Sequence, residues 1–411
     1  HPACAAGGQH PGRAPVHAHP HGARGDDQRP GPRHPALHGA RRDGAGGPGG
    51  AIARAKGRPT VTATLAGIDL TFGYGGRDVL RGATAAARAG RVTAVVGPSG
   101  SGKTTLLWLM AGLLVPKSGR VVLAESPDAA QASGKPVDFG RLRLGMVFQS
   151  SALWEHLTAE EHLRLVLAGK GLGRGERRRR TEEALARLNL AALRRRRPGE
   201  LSGGERRRLA VARAVAADPE WLLLDEPLVH LDGPAREELF ALLRGLLADT
   251  RAAQPAGRQA GVLLATHDAA EAMRLADEIV VLLDGAVAQA GPPEEVYRRP
   301  ASLVVARMLG PAGELAGEAA AGVLSCGGRP ALEGLPPEDA GPRRIILRPE
   351  DVRFQADGAG PASVRRCEFQ GDTYLLMVEC CGSDVLVRHP HAVAPGATGR
   401  LALRPASEPR P

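Results

Sequence analysis

The chain has 411 residues, room for two or three domains at roughly 100–200 residues each, and it carries 54 Gly and 33 Pro against an aromatic share of 3%. So much glycine and proline beside so few large rings implies that part of the chain does not pack. A net charge of +10 ordinarily points to nucleic acid, but Lys occurs five times against 49 Arg, a skew that reads as coding bias, so nucleic acid is not an expected partner.

Residues 1–60 hold 13 Gly, 9 Pro and 7 of the 13 His, with no apolar period of 2 or 3.6, the pattern of a disordered tail. Eight Arg and one Lys against three Asp give this stretch +6, leaving only +4 for residues 61–411. His17, His19 and His21 read as tail residues rather than a metal site. The opening His1 and the lack of a basic-then-apolar order over 1–20 read as a fragment or an upstream over-extension, without an export signal. No apolar run approaches the roughly 18–20 residues that cross a bilayer, so membrane association is expected to be peripheral or through a partner chain. Cys4, Cys326, Cys367, Cys380 and Cys381 lack CxxC spacing and are expected as free thiols.

The first chemical signal is Gly97-Pro98-Ser99-Gly100-Ser101-Gly102-Lys103-Thr104, after the apolar run Val92–Val96 and before Thr105-Leu106-Leu107-Trp108-Leu109-Met110. This is strand, glycine loop, helix. The glycines aim backbone N–H groups at a phosphate, and the helix start adds its positive dipole end. Lys103 reaches the β- and γ-phosphates, and Thr104 offers a hydroxyl to Mg2+. In a chain so poor in Lys, the ammonium at 103 stands where a planar guanidinium fits differently. A P-loop specifies a nucleotide phosphate and little more, so the remaining segments must choose among its users.

The run Leu144–Phe148 ends in the amide of Gln149, a candidate to sense the metal or the attacking water. Next, Leu201-Ser202-Gly203-Gly204-Glu205 is a polar glycine turn opening the helix 206–216, a second anion site at a helix start. The strand Trp221–Leu224 ends at Asp225-Glu226, where open parallel sheets bind ligands. Asp225 is placed to hold the Mg2+ shell, and Glu226 to orient or deprotonate water. A further strand, Val262–Thr266, delivers His267 to the same crevice, facing the γ-phosphate and the water.

A second phosphate cradle in one chain calls for explanation. With Leu201–Glu205 the sequence resembles the ATP-binding cassette (ABC) transport ATPases, whose signature loop begins LSGG and closes over the ATP held by the opposite subunit. The resemblance covers roughly 61–310, with its features in the family's order. Tyr74, in Phe72-Gly73-Tyr74-Gly75-Gly76, is similar to the aromatic that stacks on adenine. The P-loop at 97–104, Gln149, LSGGE at 201–205, Asp225-Glu226, the loop Leu228-Val229-His230-Leu231-Asp232 and His267 follow. One departure is Glu205, where the signature commonly ends in Gln; its charge is expected to turn outward, into the helix.

The resemblance implies an α/β P-loop NTPase cassette over 61–310 with a helical subdomain at about 150–215. It also implies ATP and Mg2+ as cofactors, with Gly97 to Thr105 and Tyr74 on the nucleotide and Ser202, Gly203, Gly204 and Glu205 lent to a second copy. Thr104, Gln149 and Asp225 would serve the metal. Glu226, His267, Gln149 and Lys103 would serve catalysis. Transmembrane permease subunits, and through them a solute-binding protein, are the other implied partners. Trp154 and Leu157, just after Gln149, suit a docking groove on those partners.

Residues 271–310 resemble the cassette end of importer ATPases. After a linker expected at 311–340, Ile345–Val352 and short strands near 364–370, 374–379 and 385–388 resemble the small β-barrel (OB/TOBE-like) accessory domain of importers for oxyanions, metal ions, polyamines and sugars, here 341–405. About 110 residues follow Pro300, short for a sugar-type regulatory domain, which favours an inorganic ion or polyamine. The expectation is thus an importer ATPase at the cytoplasmic face of the cell membrane. Its rivals are an exporter ATPase and a soluble ABC protein acting on DNA or ribosomes.

Overall fold

A computed structural model describes residues 63–251 and 259–405 of the chain, and the expected tail 1–60 lies outside them. Strands β1 (Thr64–Tyr74) and β2 (Arg77–Arg88) form a hairpin and lead into β3 (Val92–Val96) and helix α1 (Lys103–Met110). β4 (Ser118–Ala124), α2 (Pro127–Ser133), β5 (Lys135–Pro136) and β6 (Leu144–Val147) follow, then α3 (Ala159–Ala168), α4 (Arg174–Arg187) and α5 (Gly203–Ala216). The cassette is completed by β7 (Trp221–Asp225), α6 (Gly233–Arg251), β8 (Gly261–Thr266), α7 (Ala269–Leu275), β9 (Glu278–Leu283), β10 (Ala286–Gly291), α8 (Pro293–Arg298) and α9 (Leu303–Leu309).

The central sheet runs β10-β9-β3-β8-β7-β6, parallel except for β10. Strands β3, β7 and β8 are buried along their whole length, which is why they read as unbroken apolar runs rather than alternating ones. Alternate residues nonetheless feed two cores. Val92, Ala94, Val96, Leu222 and Leu224 pack towards the helical side with Leu163, Leu185, Leu209 and Leu243. Val95, Trp221 and Leu223 pack with α1 residues Leu106 and Met110 and with the antiparallel sheet β2-β1-β4-β5. Because β3, β8, β7 and β6 are neighbours with the same direction, their C-terminal ends open on one crevice, and the P-loop, His267, Asp225-Glu226 and Gln149 stand at those ends in turn.

Where a linker is expected at 311–340, the chain instead builds β11 (Gly313–Ala320), β12 (Val323–Cys326) and β13 (Arg329–Glu333). With β14 (Gly341–Leu347), β15 (Val352–Ala356), β16 (Ala362–Phe369), β17 (Tyr374–Cys380), β18 (Ser383–His389) and β19 (Thr398–Leu403) they form, among the described residues, one nine-stranded sheet. The reason is physical. Leu315, Ala319, Leu324, Ala331 and Leu332 are buried in that domain's core, but small residues carry much of the alternation, so period 2 is faint, and the glycines 327 and 328 supply a turn rather than a tether. The sheet curls until β18 at one end comes against β11 near the other, a Cβ at Gly313 falling 2.8 Å from the Asp384 carbonyl oxygen, so the domain is a nearly closed barrel. Among the described residues no helix is long and apolar enough to cross a membrane.

Candidate functional site

The loop between β3 and α1 is shaped for an anion. Gly102, the residue before α1, sits at φ +103, where a side chain is strained, and a Cβ there would lie 2.7 Å from Leu80 Cδ2. A Cβ at Gly97 would meet the Leu282 carbonyl oxygen at 2.3 Å. No side chain caps α1 and no acid stands in its first turn, so the N–H groups at its start keep their capacity for a bound oxyanion. The hydroxyl of Ser101 is buried without a hydrogen-bond partner, a polar atom that a phosphate oxygen would satisfy. These features fit a nucleotide phosphate.

Lys103 is only 5% exposed and donates from Nζ to the carbonyls of Gly97 and Pro98, both at 2.9 Å. Burial draws its pKa down, with the charges of Glu226 and Asp225 opposing. Next to it, Thr104 Oγ1 donates to Asp225 Oδ1 at 3.0 Å. Asp225 is buried at the end of β7, and burial raises its pKa while that hydrogen bond works the other way. One hydroxyl and one carboxylate are a donor set suited to Mg2+, which takes few protein ligands and fills its shell from phosphate and water.

Glu226 is the convergence point. The chain leaves β7 there at φ +45, a strained value for a non-glycine residue and one found where function over-determines the backbone. Its carboxylate lies 3.3 Å from His267 Nδ1, 3.9 Å from Lys103 Nζ and accepts from Gln149 Nε2 at 3.4 Å. The elements carrying Lys103, Gln149, Asp225, Glu226 and His267 therefore deliver them to one cluster. Beside it is a cleft of about 180 Å³ lined by Glu226, Val229, His230, His267 and Asp268 among others.

Ser202, Gly203, Gly204 and Glu205 stand apart from that cluster. Ser202 Oγ accepts from the Glu205 N–H at 3.2 Å and Glu205 Oε2 accepts from the Ser202 N–H at 2.7 Å, a complete capping box on α5. The unusual acid thus has a structural task, and that backbone hydrogen bond holds its pKa low. The hydrogen bonds of this loop stay within its own turn and its own helix. Tyr74 closes β1, half exposed, edge-on to Phe72 at 5.0 Å between centroids, and is not joined to the cluster. Trp154 is partly exposed, with Arg213 stacked over its ring at 5.3 Å and His162 Nε2 accepting its backbone N–H at 2.9 Å.

Several residues here have no sequence signal of their own. Arg207, buried in α5, donates to the Phe148 carbonyl at 2.8 Å and extends its field to Asp225 and Glu226. It is hidden in a run of three arginines, of which Arg207 and Arg208 are both buried and only Arg206 is exposed, a distinction that the letters do not show. Arg236 and Glu271, which border the cleft, are equally ordinary as letters, lying on two helices whose polar faces look solvent-directed.

Comparison with known proteins matches two regions of the chain. The ABC transporter family model matches residues 80–229, and the TOBE domain model matches residues 345–408. The chain is 35% identical over 328 residues to the Fe(3+) ions import ATP-binding protein FbpC 1 of Rhizobium meliloti (strain 1021), covering 77% of this chain and 88% of that protein. It is 36% identical to the sulfate/thiosulfate import ATP-binding protein CysA of Xanthomonas campestris pv. campestris, covering 77% and 91%. It is 38% identical to the spermidine/putrescine import ATP-binding protein PotA of Methylococcus capsulatus, covering 70% and 73%.

Proposed function

Since the chain belongs to the ABC transporter family, with a C-terminal TOBE domain, we propose that it is the ATP-hydrolysing subunit of an importer, paired with a second copy and docked on transmembrane permease subunits. The observation that carries this reading is Glu226, held between Lys103, Gln149 and His267 beside a phosphate-shaped loop. In such a site Glu226 takes the proton of the attacking water. His267 orients that water and the γ-phosphate, and Gln149 steadies the carboxylate. Lys103 exchanges the carbonyls of Gly97 and Pro98 for phosphate oxygens, and the uncapped start of α1 supports the rest of the triphosphate. When bound between Thr104 and Asp225, Mg2+ supplies charge neutralisation at the β- and γ-phosphates.

The hydrogen bonds of the Ser202 turn stay within its own turn and helix and do not reach its own chain's cluster, which supports its use in trans, over the nucleotide of a second copy. Closing and reopening of that pair would then be the stroke passed to the permease. Working at the cytoplasmic face, the subunit would gain its solute-binding protein only through the permease. The named relatives import Fe(3+) ions, sulfate or thiosulfate, and spermidine or putrescine, which supports an inorganic ion or polyamine as the solute. The TOBE domain supports an importer over an exporter or a ribosome- or DNA-acting ATPase.

The test is Glu226→Gln. Hydrolysis is expected to fall by at least about 100-fold while an ATP-bound dimer accumulates in size-exclusion chromatography. Unchanged turnover, or a variant that stays monomeric with ATP and magnesium, refutes the reading.

A further inference from the structure

Resting on that reading, we infer that Arg236 and Glu271 are positioning residues that tie the loop 228–232 to His267. His267 lies between two clamped neighbours. On one side, Thr266 Oγ1 donates to Glu271 Oε2 at 2.7 Å, a buried hydrogen bond, and accepts the Asp268 N–H at 3.0 Å. On the other, Asp268 caps α7, its Oδ1 accepting from the N–H groups of Ala270 at 2.8 Å and Glu271 at 3.2 Å. Arg236 Nη2 closes the circuit by donating to Asp268 Oδ2 and, at 2.8 Å, to Glu271 Oε1.

Arg236 belongs to the first turn of α6, where its N–H donates to the Asp232 carbonyl at 2.9 Å while Asp232 Oδ1 accepts from the Ala235 N–H at the same distance. The loop that ends at Asp232 and the strand end that carries His267 are thus joined by one guanidinium and one buried carboxylate. Glu271 is 7% exposed, so its charge is held by its partners rather than by water. Arg236, Glu271, His230 and His267 all border the same cleft. A displacement of residues 228–232 is therefore passed to Thr266 and Asp268, and through them to the imidazole between, without either relay residue touching the reacting atoms. Arg236 and Asp268 are part-exposed, but the Glu271 carboxylate that shares the guanidinium with Asp268 is buried, which separates this network from an ion pair lying wholly on the surface.

The experiment is a double-mutant cycle on ATP hydrolysis with the full chain, measured as single turnover so that slow variants remain readable. Glu271→Gln keeps the shape and loses the charge, and Arg236→Gln removes the other half. Each is expected to lower the rate about tenfold or more while the KM for ATP stays within about twofold. Added to His267→Ala, either is expected to cost less than about twofold further, because the residue it positions is gone. Arg236→Lys, which keeps one donor, is expected to recover part of the rate.

Losses of equal size with and without His267, a KM that rises in step with the rate loss, or wild-type rates in both variants would each overturn the inference. So would a loss that tracks a fall in the melting midpoint of both variants. The proposed function fails separately, if the unsubstituted chain hydrolyses no ATP.

Discussion

Asp268 and Thr104 show how single contacts set the site's chemistry. Burial pushes the Asp268 carboxyl up, but Arg236 and the N–H groups of Glu271 and Ala270 outweigh it, and the net direction is down. A carboxylate with a depressed native pKa stabilises the fold above the ordinary carboxylate range, and that contribution is lost as pH falls through the native value. Arg236→Gln removes the strongest of the opposing contacts, so its acid unfolding, followed by circular dichroism, is expected to start at higher pH than in the parent chain. Thr104→Val deletes the hydroxyl paired with Asp225 and leaves a buried carboxylate oxygen without its donor. A hydrogen bond to a charged group is worth about 1.5–3 kcal/mol, so hydrolysis is expected to drop about 10- to 100-fold in a magnesium titration.

At the scale of elements, the starts of α1 and α5 make an instructive pair. α1 has a glycine before it and no side-chain cap, whereas α5 begins in a full capping box. A helix destined to hold a phosphate cannot also spend its N–H groups on its own side chain. The α5 box spends only part of its set, since the Ser202 hydroxyl takes the Glu205 N–H and no side chain takes those of Gly203 and Gly204. Ser202→Ala is expected to cost about 1 kcal/mol of stability in chemical denaturation. Glu205→Gln, which can still reach the Ser202 N–H, is expected to leave the melting midpoint unchanged and hydrolysis intact; a large loss of hydrolysis would assign the acid a catalytic role that the box does not require. The capping box is legible as the spacing Ser202 to Glu205, while the uncapped helix is legible only as the P-loop pattern.

On the scale of the whole molecule, one arginine joins the accessory domain to the cassette. Arg348, 4% exposed, donates to the carbonyls of Ala306 at 2.8 Å, Gly310 at 3.2 Å, Pro311 at 3.3 Å and Tyr297 at 3.0 Å. Its guanidinium stacks 3.9 Å from the Tyr297 ring, and Tyr297 Oη donates to Glu350 at 2.7 Å. Burial, then that bond to Glu350, pushes the Tyr297 phenol up to about 12. Arg348→Ala leaves these carbonyls facing a void, and the two domains are expected to unfold in separate calorimetric transitions where the parent shows one. ATP hydrolysis by the cassette is expected to persist, because no residue of the cluster touches Arg348; a single unshifted transition would show that the domains are joined elsewhere.

The sequence by itself determined the parts whose chemistry is local. The P-loop, the Ser-Gly-Gly turn and the two acids after an apolar strand each work through residues only a few positions apart, so the spacing within each survives in the linear text. Buried parallel strands likewise announce themselves as apolar runs. Only the tertiary structure decided which side chains meet across elements. Arg207 on Phe148, Arg236 on Glu271 and Arg348 on Tyr297 join residues 35 to 59 positions apart. The strands at 313–333 belong to the same class, because their burial depends on partners far along the chain and their small side chains leave almost no period to read.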